Sequence, residues 1–198
     1  MPTRPTPATI TGVRVYLRPP RSRDAAAFLA AAKGSRAFHG PWTRPPETRA
    51  RFAAFVKRFA PPAAVTTHAG YLVFRCEDDA LVGVFNFSEI VHGAFQSTYL
   101  GYFAFAPHAG SGYMTEGMAL ALEIAFARLK LHRVEVNIQP SNARSLRLAQ
   151  RVGFTREGFS RRYVKIAGRW RDHVRLAMLA EDWRTLRRQY LGKPGRPT

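Results

Sequence analysis

Apolar and polar positions follow two periods along the 198-residue chain. ITGVRVYLRP (10–19) alternates residue by residue and ends at paired prolines, which predicts a strand. RSRDAAAFLAAAKG (21–34) is alanine-rich and stops at Gly34, which predicts a helix closed by glycine. A proline-broken loop around HGPWTRPP leads into ETRARFAAFVKRFA (47–60), an amphipathic helix ended by Pro61. AGYLVFRCED and ALVGVFNFSEI are β-rich runs separated by Asp78-Asp79, and QSTYLGYFAFA (96–106) is a third, stopped by Pro107. From Tyr113 to Lys130 the pattern is helical, with Met114, Met118, Leu122 and Phe126 four residues apart. HRVEVNIQ (132–139) reads as a strand and SNARSLRLAQRVG (141–153) as a short basic helix. RRYVKIAGRWRDHVRLAML (161–179) reads as a hairpin turning at Ala167-Gly168. Val174, Leu176 and Met178 share one face of its second arm, and His173 and Arg175 the other. These alternating periods predict a single α/β domain over 10–191, with flexible ends at 1–9 and 192–198.

Composition changes the picture in one respect. Thirty-one Lys and Arg stand against thirteen Asp and Glu, a formal net charge of +18. Residues 141–198 carry fifteen basic and four acidic side chains. Such a surface draws polyanions, ribosomal RNA among them, although arginine-rich composition produces the same balance without function. No apolar run reaches the roughly 18 residues of a membrane span, and MPTRPTPATITG lacks a secretory apolar segment, so a cytoplasmic protein is expected. The single cysteine, Cys76, lies in the apolar run YLVFRC and is expected to be buried. His39, His68, His92, His132 and His173 show no metal-ligand spacing, so no metal is expected.

Candidate chemistry begins at HAGSGYMTEGM (108–118), where two glycines open into a helix. A nucleotide P-loop requires Gly-Lys-Ser/Thr, but Gly112 is followed by Tyr113 and Met114. A dinucleotide fingerprint requires a third glycine where Thr115 stands, and its acidic partner would be Glu135, inside a strand pattern. A third reading needs only a strand, a glycine turn and a helix start, whose unpaired N–H groups and dipole hold a pyrophosphate without side-chain charge. A plain strand-to-helix turn explains Gly110 and Gly112 as well.

The order of elements, with this loop after the third β run, resembles the GNAT superfamily of N-acetyltransferases. Its pyrophosphate loop, Arg/Gln-x-x-Gly-x-Gly/Ala, aligns with Ala109-Gly110-Ser111-Gly112-Tyr113-Met114. Ala109 replaces the leading Arg/Gln and Met114 the final small residue, which leaves backbone amides of 110–115, through Thr115, as ligands. PSNARSLRLAQRVGF (140–154) resembles the family's Asn-x-x-Ser element followed by a helix and Gly-Phe. The resemblance places Asn142 on the pantetheine arm of coenzyme A and Ser145 beside its sulfur. From the residues alone, Ser141 or Asn142 caps this helix and Ser145 is solvated. LVGVFNFSEIVHGAFQSTYLGY (81–102) and GFSRRYVKIAGRWRDHVRLAML (158–179) are similar to the RimJ-type subgroup, which acetylates the N-terminal alanine of a ribosomal protein.

The resemblance implies a central, mixed and mostly antiparallel twisted sheet of about seven strands with four to five helices, and acetyl-CoA as cosubstrate. It implies direct attack of an amine on the thioester. Glu89, in FNFSEI, is the candidate base, with a surface carboxylate as the plainer alternative. Ser145, with Tyr102 or Tyr113 as substitutes, is the candidate donor to the departing thiolate. Backbone at Phe103-Ala104-Phe105 is the candidate oxyanion site. Arg144 or Arg147 is expected to supply the phosphate charge that Ala109 lacks. His108 is a loop residue near the phosphates or in solvent, while Trp42 lines the acceptor groove or caps the core. Trp170 with Arg169 and Arg171 forms a substrate-facing rim or a basic hairpin with an anchoring ring. A small-amine acetyltransferase and a non-catalytic ribosome- or RNA-binding module remain alternatives to the N-terminal alanine enzyme.

Overall fold

A computed structural model describes residues 10–40, 42–59 and 67–191. The expected flexible ends and Pro61 lie outside the described residues. The strands are β1 (Ile10–Thr11), β2 (Val15–Arg18), β3 (His68–Arg75), β4 (Leu81–Val91), β5 (Ser97–Ala104), β6 (Arg133–Ile138), β7 (Thr155–Ile166) and β8 (Arg169–Leu179). The helices are α1 (Ala25–Gly34), the single turn α2 (Arg36–His39), α3 (Arg49–Phe59), α4 (Tyr113–Glu123), α5 (Ala143–Val152) and α6 (Ala180–Leu191). All strands join one sheet in the order β1-β2-β3-β4-β5-β6-β8-β7. Every pairing is antiparallel except β5 with β6.

The sheet carries a core on each side. Phe85, Phe87, Val134, Val136, Leu176 and Met178 pack under α4, α5 and α6. Leu72, Val84 and Phe105 pack with Phe28 and Phe52 under α1 and α3. Gly117 lets α4 lie close to the sheet, because a Cβ there would stand 2.9 Å from Phe85 Cε2. Gly83 answers from the sheet side, where a Cβ would meet Met114 Sδ at 2.6 Å.

The structure departs from the sequence pattern in five places. The 10–19 run folds back on itself as β1 and β2, because Gly12 N donates to Val15 O at 2.8 Å and closes a turn. That makes eight strands rather than seven. The long helix loosens into a π-helical turn at Ile124–Arg128, where Leu129 N reaches Ile124 O. Glu123, just before it, accepts from Trp183 Nε1 at 3.2 Å and Arg187 Nη2 at 2.6 Å. α6, which the pattern analysis left unassigned, inserts Trp183 fully into the core. Cys76 is exposed rather than buried, because β3 ends at Arg75 and the chain leaves the sheet there. The hairpin begins earlier than expected, at Thr155, and turns where Ala167 and Gly168 both have positive φ (49° and 79°). That is the backbone of a two-residue type I′ connection.

Candidate active site

β5 and β6 pair only over Ser97–Tyr99 and Arg133–Glu135, then diverge. Past Tyr99, β5 is hydrogen-bonded on its β4 side alone. Phe105 N donates to Val82 O at 2.8 Å, so by the alternation of an antiparallel ladder Ala104 and Tyr102 turn their backbone groups toward the opening. Phe103 and Phe105 turn theirs toward β4 and send their rings under α1, against Phe28 and His39. His39 Nε2 donates to Ala104 O at 2.9 Å, and burial pushes the His39 pKa down. The imidazole is thus a neutral clasp on the open strand.

Beyond β5 a 3₁₀ turn, Ala106–His108, leads to Gly110 and Gly112, whose φ values of 86° and 82° place both in the left-handed region. Gly112 is the N-cap of α4 and provides no side-chain cap; Thr115 N donates to Gly112 O at 3.0 Å, which leaves the Tyr113 and Met114 amides without a helix partner, a candidate anion seat. Tyr113 stands beside this seat, with the Arg14 and Arg75 guanidinium carbons 4.9 and 5.9 Å from its ring centre and His108 edge-on to it. Met114 points inward to the core, while Thr115 is half-buried and Ala109 contributes no charge.

α5 begins across the opening. Asn142 caps it, accepting from Ser145 N at 3.2 Å. Ser145 Oγ donates to Tyr102 Oη at 2.7 Å, and Tyr102 Oη donates to Ser145 O at 3.0 Å. The two hydroxyls therefore join β5 to α5 at the wide part of the opening. Burial drives the Tyr102 pKa up, opposed by the Ser145 hydrogen bond. α2 reaches the same helix end, with Trp42 Nε1 3.3 Å from Ser141 Oγ and Arg144 over the Phe38 ring at 5.2 Å. Arg147 is exposed on α5.

The other face of β5 beside the opening carries Tyr99 and Gly101. There Gly101 is exposed, and a Cβ on it would meet only Asn86 O, at 3.9 Å. Tyr163 Oη donates to Tyr99 Oη at 3.5 Å, a contact that with burial pushes the Tyr163 pKa up to about 12. His173 lies edge-on to Tyr163 and donates from Nδ1 to Arg171 O at 3.0 Å. Glu135 is held by Arg133 at 2.9 Å. The Oδ1 atoms of Asn86 and Asn137 are buried without a hydrogen-bond partner among the described residues. Glu89 lies one residue past Ser88, the partner of Tyr99, and so beside the stretch of β5 that still pairs with β6. It occupies a bulge at φ 50°, exposed, 4.0 Å from His68 Nε2. Among the described residues no group of three or more His, Cys, Asp or Glu could hold a metal ion.

A diverging strand pair, an uncapped glycine loop and a capped Asn-x-x-Ser helix start thus border one opening. Residues 14–155 match the family model described as "Acetyltransferase (GNAT) domain". The chain belongs to the GNAT acetyltransferase family. Probable N-acetyltransferase YjcK of Bacillus subtilis (strain 168) is 43% identical over 110 residues, covering 56% of this chain and 61% of that protein. The [ribosomal protein uS5]-alanine N-acetyltransferase of Escherichia coli (strain K12) is 38% identical over 111 residues, covering 56% and 57%. The chain thus spans about three fifths of the length of these curated relatives. Mycobacterium smegmatis RimJ in complex with CoA-disulfide superposes with a TM-score of 0.85 at 27% identity, covering 93% of each chain.

Within this GNAT frame the structure adds residues that sequence reasoning did not assign to the site. His39 clasps β5, and Arg14 reaches the glycine loop from the β1–β2 turn. Neither lies in a motif, since each acts across the sheet from far away in sequence. Tyr99 and Tyr163 gain meaning only once the β5–β6 divergence is known.

Proposed function

We propose that the chain transfers an acetyl group from acetyl-CoA to the α-amine of a protein N-terminus, with the alanine terminus of a ribosomal protein as acceptor. The observation that carries the reading is the Tyr102–Ser145 hydroxyl pair set between the open β5 edge and the α5 start. When bound, acetyl-CoA supplies an activated thioester. The loop amides of 110–114 and the α4 dipole hold its phosphates, with Thr115 N already donating to Gly112 O, and Asn142 flanks the pantetheine path. Backbone N–H groups on the opening side of Tyr102 and Ala104 stabilise the oxyanion that forms when the amine attacks. As the tetrahedral centre collapses, the carbon–sulfur bond breaks and one hydroxyl of the Tyr102–Ser145 pair turns its proton from its present acceptor to the thiolate. The proton lost by nitrogen passes through water to Glu89. An α-amine has a pKa of about 7.7–8.0, so a modest base suffices.

The acceptor side favours an N-terminal amine over a polyamine. Its lining includes Tyr99, Tyr163 and Asn137, and its carboxylate Glu135 is already paired with Arg133, leaving little acidic charge for a polycation. The β7–β8 hairpin supports a ribosomal setting. Trp170 is 60% and Phe159 47% exposed, among Arg156, Arg161, Arg162, Lys165 and Arg169. Stacking rings interleaved with cations suit RNA. Mass spectrometry of an alanine-starting ribosomal peptide incubated with acetyl-CoA should show one added acetyl on the α-amine. Acetylation of spermidine but not of the peptide would instead assign a small-amine enzyme, and ribosome binding without turnover a non-catalytic module.

A further inference from the structure

The glycine loop lacks a cation of its own, and the first arginine of α5 is drawn to an aromatic ring. Arg144 lies over Phe38. The guanidinium at the loop belongs to Arg14, 97 residues from Ser111 in sequence. We infer that Arg14 is the side chain that carries positive charge to the phosphates of coenzyme A, in the role that Ala109 leaves open. The inference rests on the acetyl-CoA reading above.

Three anchors place Arg14. Glu116, in the first turn of α4, accepts from Arg14 N at 2.8 Å and Val15 N at 3.4 Å, which bolts the β1–β2 turn to the helix. Its other oxygen meets Arg14 Nε at 3.4 Å. Nη1 donates to Ser111 O at 3.2 Å, and the guanidinium lies over the Tyr113 ring at 4.9 Å. Nη2 stands 3.0 Å from where a Cβ on Gly112 would be, and it has no hydrogen-bond partner among the described residues. A side chain at Gly112 would displace it.

Arg14 therefore presents a free N–H pair beside the uncapped amides, with its side chain 51% exposed to a ligand. Its geometry is already fixed, so a phosphate pays little entropy to use it. Arg75, the other guanidinium near Tyr113, is closed by two bonds to Asp78 and has less to offer. Arg14 and the loop amides converge on one anion from two sources, side chain and backbone.

Calorimetric titration of the full chain with CoA, 3′-dephospho-CoA and pantetheine (the last by competition with CoA) tests this. Arg14→Gln should weaken CoA about tenfold and leave pantetheine unchanged, while Arg75→Gln should stay within about twofold for both. Arg14→Lys, which keeps the charge, should lose about threefold on CoA alone and serves if the glutamine variant does not fold. A penalty retained with dephospho-CoA places the contact on the pyrophosphate; a penalty that disappears places it on the 3′-phosphate. Unchanged CoA affinity in the variants, or an equal loss with pantetheine, overturns the role of Arg14. Wild-type protein that binds no CoA overturns the acetyl-CoA reading itself.

Discussion

Replacing Tyr102 with Phe removes one oxygen and two hydrogen bonds, those with Ser145 Oγ at 2.7 Å and Ser145 O at 3.0 Å. Burial raises the phenol above its ordinary pKa of about 10, whereas a thiol titrates near 8.5. Full proton transfer from Tyr102 to the departing thiolate is therefore uphill by at least about 2 kcal/mol, at 1.36 kcal/mol per pKa unit. The hydroxyl pair works by hydrogen bonding to sulfur, not by giving up its proton. A hydrogen bond to a charged group contributes about 1.5–3 kcal/mol, which corresponds to a rate loss of roughly 10- to 150-fold. Tyr102→Phe should show that loss in single-turnover acetyl transfer, with KM for acetyl-CoA nearly unchanged. Because the two hydroxyls act together, Tyr102→Phe with Ser145→Ala should be no slower than the worse single variant. The pH–rate profile should show no alkaline limb from Tyr102 below about pH 10, since its pKa lies higher still. A single-turnover rate within about threefold of wild type would refute the assignment.

Other outcomes follow from separate parts of the molecule. Asn142→Ala removes the cap of α5 and should cost about 1 kcal/mol in urea unfolding, with weaker acetyl-CoA binding as the helix start loosens. The buried, neutral His39 has a pKa below its ordinary value of about 6.5, so it adds stability above that pH and loses it as pH falls through the lowered value. Thermal melts should therefore drop in mild acid, and His39→Gln should flatten that drop. Gly153, at φ 104°, closes α5 with Leu186 against it, so Gly153→Ala should lower the melting temperature through both strain and crowding. Trp170→Ala combined with Arg169→Ala should weaken binding to a single-stranded RNA oligomer and reduce its salt slope by about one. Peptide acetylation by that variant at saturating substrate should stay unchanged.

Features carried by local rules were legible in the sequence. The glycine loop, the Asn-x-x-Ser spacing and the type I′ turn each depend on a few neighbouring residues, and each lies where the pattern put it. Long-range features were not legible in this way. Arg14 reaches Ser111, and His39 reaches Ala104, through contacts across the sheet that no periodicity encodes. The π-helical turn at Ile124–Arg128 interrupts an otherwise regular spacing of apolar residues, and its neighbour Glu123 is held by α6. Cys76 shows the opposite error, in which an apolar run suggested burial but the strand had already ended at Arg75. The opening itself follows from where β5 and β6 stop pairing, a property of two strands and not of either one.

The three residue pairs joining β5 to β6 leave the sheet as two stiff panels sharing a short seam. α4 and α5 span the seam from one side, and the Tyr102–Ser145 bonds tack its wide end. A cosubstrate lying between the panels adds contacts to both, and so acts as a lacing as well as a reactant. Binding at one hundred times Kd would add about 2.7 kcal/mol to the folded state, and at this seam much of it opposes separation of the panels. Amide exchange along β5 and β6 should therefore slow more on CoA binding than exchange at Leu72–Phe74 of β3 or Gly83–Ser88 of β4, which are paired on both sides.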